Sequence, residues 1–165
     1  MLTTTLFISL AFLVVSSNAL GSRHSPRDEA PVVDEFSWDT FTELINIDPG
    51  SYLEGVSDDG GDETIACTTK PGPDRLDCPV AMAGWTDLDD DDGNINIGYL
   101  RCRSVTYGDC RTVACAPQEE LNIALDQITG RMWNPVSARC VFGGTGGIWQ
   151  NDGSKLVIEM GSPKE

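Results

Sequence analysis

The sequence predicts an α+β fold, a small disulfide-stapled antiparallel sheet with one or two helices packed on a face. Two observations predict the sheet and the helix: short segments of strand-forming residues are separated by Gly and Pro, and one segment has apolar residues at helical spacing. A third observation predicts the disulfides, because the 165-residue chain has six cysteines downstream of an apolar N-terminal run. These cysteines are Cys67, Cys78, Cys102, Cys110, Cys115 and Cys140.

The first element is an apolar run, Leu6–Val15, with the length of a signal-peptide core. Ser17 and Ala19 follow it and place small residues at the two positions that a signal peptidase recognises. The run is shorter than the about 20 apolar residues that a membrane-spanning helix needs, and polar residues follow at once. We therefore expect residues 1–19 to be a signal peptide, cleaved after Ala19, and the mature protein to be secreted.

The cysteines have two interpretations, a disulfide framework and a metal site. In an exported chain, an even number of cysteines is typical of disulfides. Zinc binding is disfavoured because the sequence has no Cys-x-x-Cys pair and no histidine after the first cysteine. We therefore expect three intramolecular disulfides, no metal site and no cofactor. The pairing stays open at this point, since six cysteines can pair in many ways.

Residues 20–60 are predicted to form an acidic, partly disordered N-terminal arm, with ten acidic residues against Arg23 and Arg27 and no cysteine. Within it, Ser37 is placed to cap a short helix that Asp48-Pro49-Gly50 ends. The helix either docks on the domain or is presented to a partner, and we expect docking. Its apolar residues are Trp38, Phe41, Leu44 and Ile45.

Residues 61–165 are predicted to form the cysteine-rich α+β domain. Its longest predicted strand is Asn94–Val105, in which a bulge near Gly98 would bring the apolar residues to one face. Two C-terminal strands are joined through Asn151–Ser154, which contains the turn sequence Asp152-Gly153. The short runs and strands are Thr64–Thr69, Cys78–Trp85, Asn94–Val105, Arg139–Phe142, Gly147–Gln150 and Lys155–Met160.

The helix of the domain is predicted to begin at Pro117, a residue type favoured in the first turn, with Glu119 and Glu120 beside its positive end. Gly130 loosens or ends its last turn. We expect its apolar side to contact the last strand, in which apolar residues at every second position point to one face. The apolar residues of the helix are Leu121, Leu125, Ile128 and Met132, and the contact is expected between Leu121, Leu125 and Ile128 of the helix and Leu156, Ile158 and Met160 of the strand.

The charge of the chain excludes two classes of partner. The formal net charge is −15 at pH 7, and residues 1–19 contain no charged side chain. Such a surface repels phosphate backbones and anionic lipid head groups. We therefore expect no nucleic-acid binding and no membrane insertion.

The acidic segment Asp87–Asn96 is a candidate calcium loop, because clustered carboxylates are the oxygen ligands that calcium prefers. The EF-hand register fails, since with Gly93 at the sixth position Leu88 and Tyr99 fall where the first and last ligands belong. We expect a solvated strand connection with a turn at Asp92-Gly93, and weak calcium binding stays as the alternative. A second acidic patch, Asp58–Glu63, is interpreted as a linker.

Gly143–Gly147 is a glycine-rich run that invites comparison with a phosphate-binding loop. It lacks the Lys and Ser/Thr of that motif, and the strand-like Ile148-Trp149 follows where a helix should begin. We therefore expect a connection that permits positive φ or a close approach of backbones, with no phosphate site.

Catalytic chemistry is limited by the single histidine, His24, which lies in the arm just after the predicted cleavage point. Histidine-dependent triads and pairs have no base in the domain, so we predict no catalytic residues. Carboxylate pairs remain, because glycosidases need only two acidic residues. The aromatic residues form either a sugar-stacking surface or, as we expect, part of the core. They are Trp85, Trp133, Trp149, Tyr99 and Tyr107.

Three segments carry a family resemblance: Tyr107-Gly108-Asp109-Cys110, Ala114-Cys115-Ala116 and, after a helix, Cys140-Val141-Phe142-Gly143-Gly144. With the leader and the acidic arm, they resemble fungal small secreted cysteine-rich proteins, in particular the effector and killer-toxin-like group with a compact α/β sandwich. The resemblance covers about residues 61–160 and implies a role but no catalytic residues. The acidic charge departs from membrane-attacking toxins.

We therefore expect a non-enzymatic secreted effector or virulence protein that binds a host protein or a cell-wall component and modulates host defence, outside host cells or after uptake into them. A disulfide-rigid surface suits this role, because rigidity lowers the entropic cost of binding. The alternative is an extracellular carbohydrate-binding or carboxylate-dependent glycoside-hydrolysing cell-wall protein.

Overall fold

The computed structural model of the protein describes residues 29–45 and 63–163. The predicted signal peptide, residues 1–19, lies outside the described residues, as do His24 and Asp48-Pro49-Gly50. Of the predicted linker, only Glu63 is described.

The described elements are strands and short helices, and four of the strands follow one another without an intervening helix. The strands are β1 (Val32–Ser37), β2 (Glu63–Pro71), β3 (Asn94–Ile97), β4 (Arg101–Tyr107), β5 (Cys110–Ala116), β6 (Leu121–Ala124), β7 (Thr145–Asn151) and β8 (Val157–Gly161). The α-helices are α1 (Trp38–Ile45), α2 (Cys78–Ala83) and α3 (Leu125–Arg131). Within Met132–Ser137, which follows α3, the backbone is helical except at Asn134, where it is extended (φ −140°, ψ 114°) and the chain kinks. Single helical turns occur at Gly84–Asp87 and Val141–Gly143. Asp152–Ser154 is a turn in which Gly153 has a positive φ.

Six of these strands form one sheet in the order β1-β4-β5-β8-β7-β2, and every neighbouring pair is antiparallel. Strands β3 and β6 form a second, two-stranded sheet. The predicted α+β class with an antiparallel sheet is therefore confirmed.

Helices pack on both faces of the six-stranded sheet. Alternate residues of each strand point to opposite faces, so a strand can contribute buried side chains to both. The α3 face packs against α2, α3 and the two-stranded sheet, and its buried strand residues include Ile65, Val105, Ala114, Trp149 and Ile158. The α1 face packs against α1, and its buried strand residues include Ala66, Cys102, Val113, Ile148 and Val157.

The described part of the arm belongs to this architecture. Strand β1, which was not among the predicted strands, pairs with β4 along its whole length. The predicted cap of α1 is confirmed, since Ser37 Oγ accepts a hydrogen bond of 3.1 Å from the Thr40 N–H. Phe41 is fully buried against the α1 face, so the helix docks on the domain as expected.

All six cysteines pair, which confirms the three predicted disulfides, and the structure gives the pairing Cys67–Cys140, Cys78–Cys110 and Cys102–Cys115. The first bond joins edge strand β2 to the helical turn that precedes β7. The second joins the beginning of α2 to β5, and the third joins directly opposite residues of β4 and β5. Two of the bonds therefore fix helical segments to the α3 face of the sheet.

The predicted long strand Asn94–Val105 is wrong in one respect, because it is two strands in different sheets. The chain turns at Gly98, whose carbonyl accepts a 3.0 Å hydrogen bond from Arg101 N–H, and Leu100 has a positive φ of 56°. The apolar residues before and after Gly98 alternate out of step because of this turn and not because of a bulge. Tyr99 lies in the turn and is exposed.

The predicted helix start at Pro117 is also wrong. Leu121–Ala124 is strand β6, paired with β3, in which Ile95 and Ile97 are fully buried. Leu121 and Ile123 fit the period of a strand as well as that of a helix, and pairing with β3 decides between the two. The helical part of the prediction holds from Leu125 onward, and Ile128 and Met132 are fully buried.

The short run Cys78–Trp85 is helical, and so is Arg139–Phe142, which was predicted to be a strand. Cys78–Ala83 is α2, with Pro79 in its first turn, where a missing N–H costs nothing. Arg139–Phe142 lies in helical turns, because Cys140 N–H donates a 3.0 Å hydrogen bond to the Val136 carbonyl.

The C-terminal hairpin is confirmed. Strands β7 and β8 pair with Trp149 opposite Ile158, and Gly153 adopts a positive φ of 68° in the connecting turn. Ile158 and Met160 of this hairpin belong to the same buried cluster as Ile128 and Met132, whereas Leu121 of the predicted helix stripe lies in β6.

Candidate functional site

Helix α3 lies between two cavities on the same side of the sheet. A polar pocket of about 570 Å³ lies between α3 and strands β2 and β7. An apolar groove of about 470 Å³ lies between α3 and α2. Asp126 and Gly130 line both cavities, so the two meet along α3. Both volumes fall within the range of about 300 to 1,000 Å³ that is usual for ligand sites.

The polar pocket is organised around Arg131, the last residue of α3. Its guanidinium lies 5.1 Å from the ring centroid of Trp149, within cation–π distance, and forms an ion pair of 2.5 Å with Glu63. Glu63 also accepts a 3.3 Å hydrogen bond from the Trp149 indole N–H. Three side chains from three elements thus hold one another in place, and this cluster is the wall of the pocket.

Other polar side chains of the pocket are not engaged. Asp126, Gln127 and Asn134 line it, and within residues 29–45 and 63–163 they form no side-chain hydrogen bond or ion pair. Asn151 uses its Oδ1 to accept a 2.8 Å hydrogen bond from Leu156 N–H, which leaves its amide nitrogen as the group for a ligand. The pocket therefore offers one carboxylate and three amides beside a fixed ion pair.

The apolar groove has an aromatic residue at one end. Trp133, 51% exposed, lines the groove together with Met82 of α2 and Leu125 of α3. Its ring packs edge-on against Phe142, with centroids 5.9 Å apart and planes at 88°. Phe142 is itself 49% exposed, so two large aromatic side chains present a joint surface to solvent.

The aromatic residues of the sequence analysis are therefore divided between core and surface. Trp85 is fully buried and donates its indole N–H to Thr112 Oγ1 at 2.8 Å, and Trp149 is only 3% exposed. These two confirm the core interpretation. Trp133 and Tyr99 are exposed, so the structure does not place the predicted aromatic set on one stacking surface.

The acidic loop at Asp87–Asn96 is a hydrogen-bonded turn. Asp90 Oδ1 accepts hydrogen bonds from the backbone N–H groups of Asp92 and Asn94, at 3.0 and 2.9 Å, and Gly93 has a positive φ of 76°. The turn prediction for Asp92-Gly93 is confirmed. Within the described ranges, no three His, Cys, Asp or Glu side chains come together as a metal ion would require.

The glycine-rich run serves close packing and a turn, as predicted. Gly144 has a positive φ of 85°. A Cβ at Gly147 would lie 2.8 Å from Cys140 Sγ, so the Cys67–Cys140 disulfide crosses the strand where a side chain has no room.

Three residues that build the polar pocket, Glu63, Asp126 and Arg131, were not predicted from the sequence. Glu63 was assigned to a linker, and Asp126 and Arg131 belong to the polar side of a helix, which is usually solvated. A signal was present in part, because Asp126 and Gly130 are one helical turn apart and share a face. The partner strand β2, however, is far away in sequence.

Comparison with known proteins gives no assignment: no family model, curated protein or solved structure matches this chain. In the part of the chain that the structure describes, no helix combines the length and apolar character needed to span a bilayer.

Proposed function

We propose that this protein is an exported effector that binds a host macromolecule through the surface around α3 and acts by binding rather than by catalysis. The three disulfides support export, because such bonds are typical of proteins that fold in an oxidising compartment. The apolar leader Leu6–Val15 supports the same route.

The observation that carries the proposal is the exposed pair Trp133 and Phe142 at the end of the apolar groove. Large aromatic side chains that remain exposed beside a groove are typical of interaction sites, and Trp is among the residues that most often dominate binding energy. The two rings together form an anchor for apolar side chains of a protein partner.

The aromatic pair is held by a fixed part of the fold. Trp133 lies between the buried residues Met132 and Val136, and Phe142 follows Cys140, whose disulfide reaches strand β2. A preformed surface loses little conformational entropy on binding, which favours affinity. The strong negative charge of the chain adds selectivity for partners with basic surfaces.

A genetic replacement tests the proposal. The gene is deleted in the producing organism and restored as wild type, as Trp133→Ala or as Leu44→Ala. Leu44 is the matched control, because it is also an exposed apolar residue, on α1 at the opposite face of the sheet. We expect deletion to lower colonisation of the host without changing growth in culture, and only Trp133→Ala to fail in restoring colonisation.

Secreted amounts of each variant are measured in the culture medium, where N-terminal sequencing is expected to begin near Leu20. Equal restoration by Trp133→Ala and wild type would contradict the role of the aromatic pair. Release of sugars from wall polysaccharide by the purified protein, abolished by Asp126→Asn without unfolding, would replace the binding proposal with the enzymatic alternative.

A further inference from the structure

The polar pocket beside Arg131 has a chemistry of its own, separate from the aromatic pair. We propose that it binds a neutral saccharide, recognised through the hydroxyl groups of one or two sugar units. The inference does not rest on the effector proposal, since neither Trp133 nor Phe142, which carry that proposal, lines this pocket.

The hydrogen-bonding groups of the pocket match hydroxyl groups. A sugar hydroxyl both donates and accepts, as do the side-chain amides of Gln127 and Asn134, whereas Asp126 accepts only. Within the described residues, none of these three side chains has a hydrogen-bond partner of its own. They are therefore available to a ligand without first breaking a bond inside the protein.

The charges of the pocket disfavour an anionic ligand. The cation that lines it, Arg131, is already paired with Glu63 and lies over the ring of Trp149. With that pair neutralised, Asp126 leaves the pocket with a negative charge, and the chain as a whole carries −15. A phosphate, sulfate or uronate group would meet repulsion from Asp126 and no unpaired cation.

The position of Trp149 disfavours a flat aromatic ligand. Its ring is only 3% exposed, since Arg131 covers it, so a nucleobase has no aromatic surface on which to stack. Partly buried Ile123 and buried Leu156 supply a small apolar area that suits the C–H groups of a sugar ring. A neutral, hydroxyl-rich ligand satisfies all of these conditions.

The indole N–H of Trp149 is a direct reporter of binding, because it donates to Glu63 at the wall of the pocket. The ¹⁵N-labelled, disulfide-bonded mature protein is titrated separately with cellotetraose, laminaritetraose, mannotetraose and chitotetraose up to about 10 mM, above the millimolar Kd of a weak site. Tetragalacturonate and trilysine are the anionic and cationic controls.

We expect at least one neutral tetrasaccharide to shift the Trp149 indole signal saturably, while the indole signal of Trp85, which is bonded to Thr112 in the core, stays in place. Asn134→Ala and Asp126→Asn should each weaken this binding about tenfold, as expected for a lost hydrogen bond. Gln118→Ala, an exposed amide outside the pocket, should leave the affinity unchanged.

Absence of a shift with all four neutral tetrasaccharides would overturn the inference. Tighter binding of tetragalacturonate would assign the pocket to anions, and tighter binding of trilysine would assign it to basic peptides; either result would overturn it as well. If Asn134→Ala and Asp126→Asn bound the saccharide with unchanged affinity, the saccharide would bind outside this pocket, which would also overturn the inference.

Discussion

The α3 face and the α1 face of the six-stranded sheet bury different kinds of side chain. The α3 face packs against two helices and a second small sheet, and the polar pocket and the apolar groove both lie there. The α1 face packs against α1 through Phe41 and Trp38, and it also carries a buried ion pair between Arg111 and Glu159 at 3.5 Å.

This difference suggests different roles for the two faces, with the cavities for recognition on the α3 face. A layer of short helices linked by turns leaves gaps between its members, and those gaps are the two cavities. Two disulfides, Cys67–Cys140 and Cys78–Cys110, fasten this layer to the sheet, whereas Cys102–Cys115 joins two strands that are already paired. The face that carries the candidate site is therefore the face that depends more on covalent linkage.

The largest expected effect comes from removing a disulfide of the α3 face. For Cys67→Ala/Cys140→Ala, a closed loop spanning 73 residues is opened, and the free energy of unfolding should fall by about 4 kcal/mol on the chain-entropy account. For Cys102→Ala/Cys115→Ala, the span is 13 residues and the loss should be about 3 kcal/mol. Urea unfolding of both double variants measures which loss in free energy is larger. A larger loss for Cys102→Ala/Cys115→Ala would show that the comparison between the faces is wrong.

The next effect tests the α1 face. Phe41→Ala removes the fully buried side chain that anchors α1, and the free energy of unfolding should fall by about 3 kcal/mol. Leu44→Ala on the same helix is the control, because Leu44 is exposed and its loss should cost less than about 0.5 kcal/mol. Equal stabilities for the two variants would mean that α1 does not pack on the sheet in solution.

A smaller effect is expected at Gly147, where a Cβ would lie 2.8 Å from Cys140 Sγ and 3.1 Å from Val136. Because the disulfide holds Cys140 in place, Gly147→Ala should cost about 2 kcal/mol of unfolding free energy through overpacking. Gly143→Ala, whose Cβ would meet no atom within 4 Å, is the matched control. Thermal unfolding compares the stabilities of the two variants. A Gly147→Ala protein as stable as Gly143→Ala would show that the packing around Gly147 has room for a methyl group.

The smallest effect concerns Lys155, whose Nζ lies 2.8 Å from the Glu119 carboxylate. This hydrogen bond, the charge of Glu119 and, to a lesser degree, the charge of Asp152 raise the pKa of Lys155. Because the folded pKa is raised, the stabilisation is present below the ordinary lysine pKa and is lost as the pH rises through the raised value.

Glu119→Gln should return the pKa of Lys155 towards its ordinary value, and Asp152→Asn should lower it by less. The ¹³Cε chemical shift of Lys155 measures the titration. An equal or larger change for Asp152→Asn would show that Glu119 is not the main partner.

The sequence predicted the parts of this fold that depend on local pattern. The hairpin of β7 and β8 follows from Asp152-Gly153 and from alternating apolar residues, and the end of the helix stripe, Ile128 and Met132, follows from helical spacing. The six cysteines predicted three bonds, although their spacing did not give the pairing.

The parts that the sequence did not predict depend on distant partners. Strand β1 lies in an acidic segment, and it is held by pairing with β4 and by the ion pairs of Glu35 with Arg101 and Arg103. Residues 121–124 become a strand because β3 is available to pair with them. The polar pocket unites β2, α3 and β7, so its composition follows from the topology and not from any local motif.

The most direct test of the central claim, that the α3 face is the recognition surface, is position-specific crosslinking. Photoreactive p-benzoylphenylalanine replaces Trp133 on the α3 side or Leu44 on the α1 side, two sites of similar exposure, 51% and 42%. Each protein is irradiated in host extracellular fluid with and without excess unlabelled wild type. We expect a discrete crosslinked host product from position 133 that wild type competes away, and none from position 44. A competed product from position 44 alone would contradict the account.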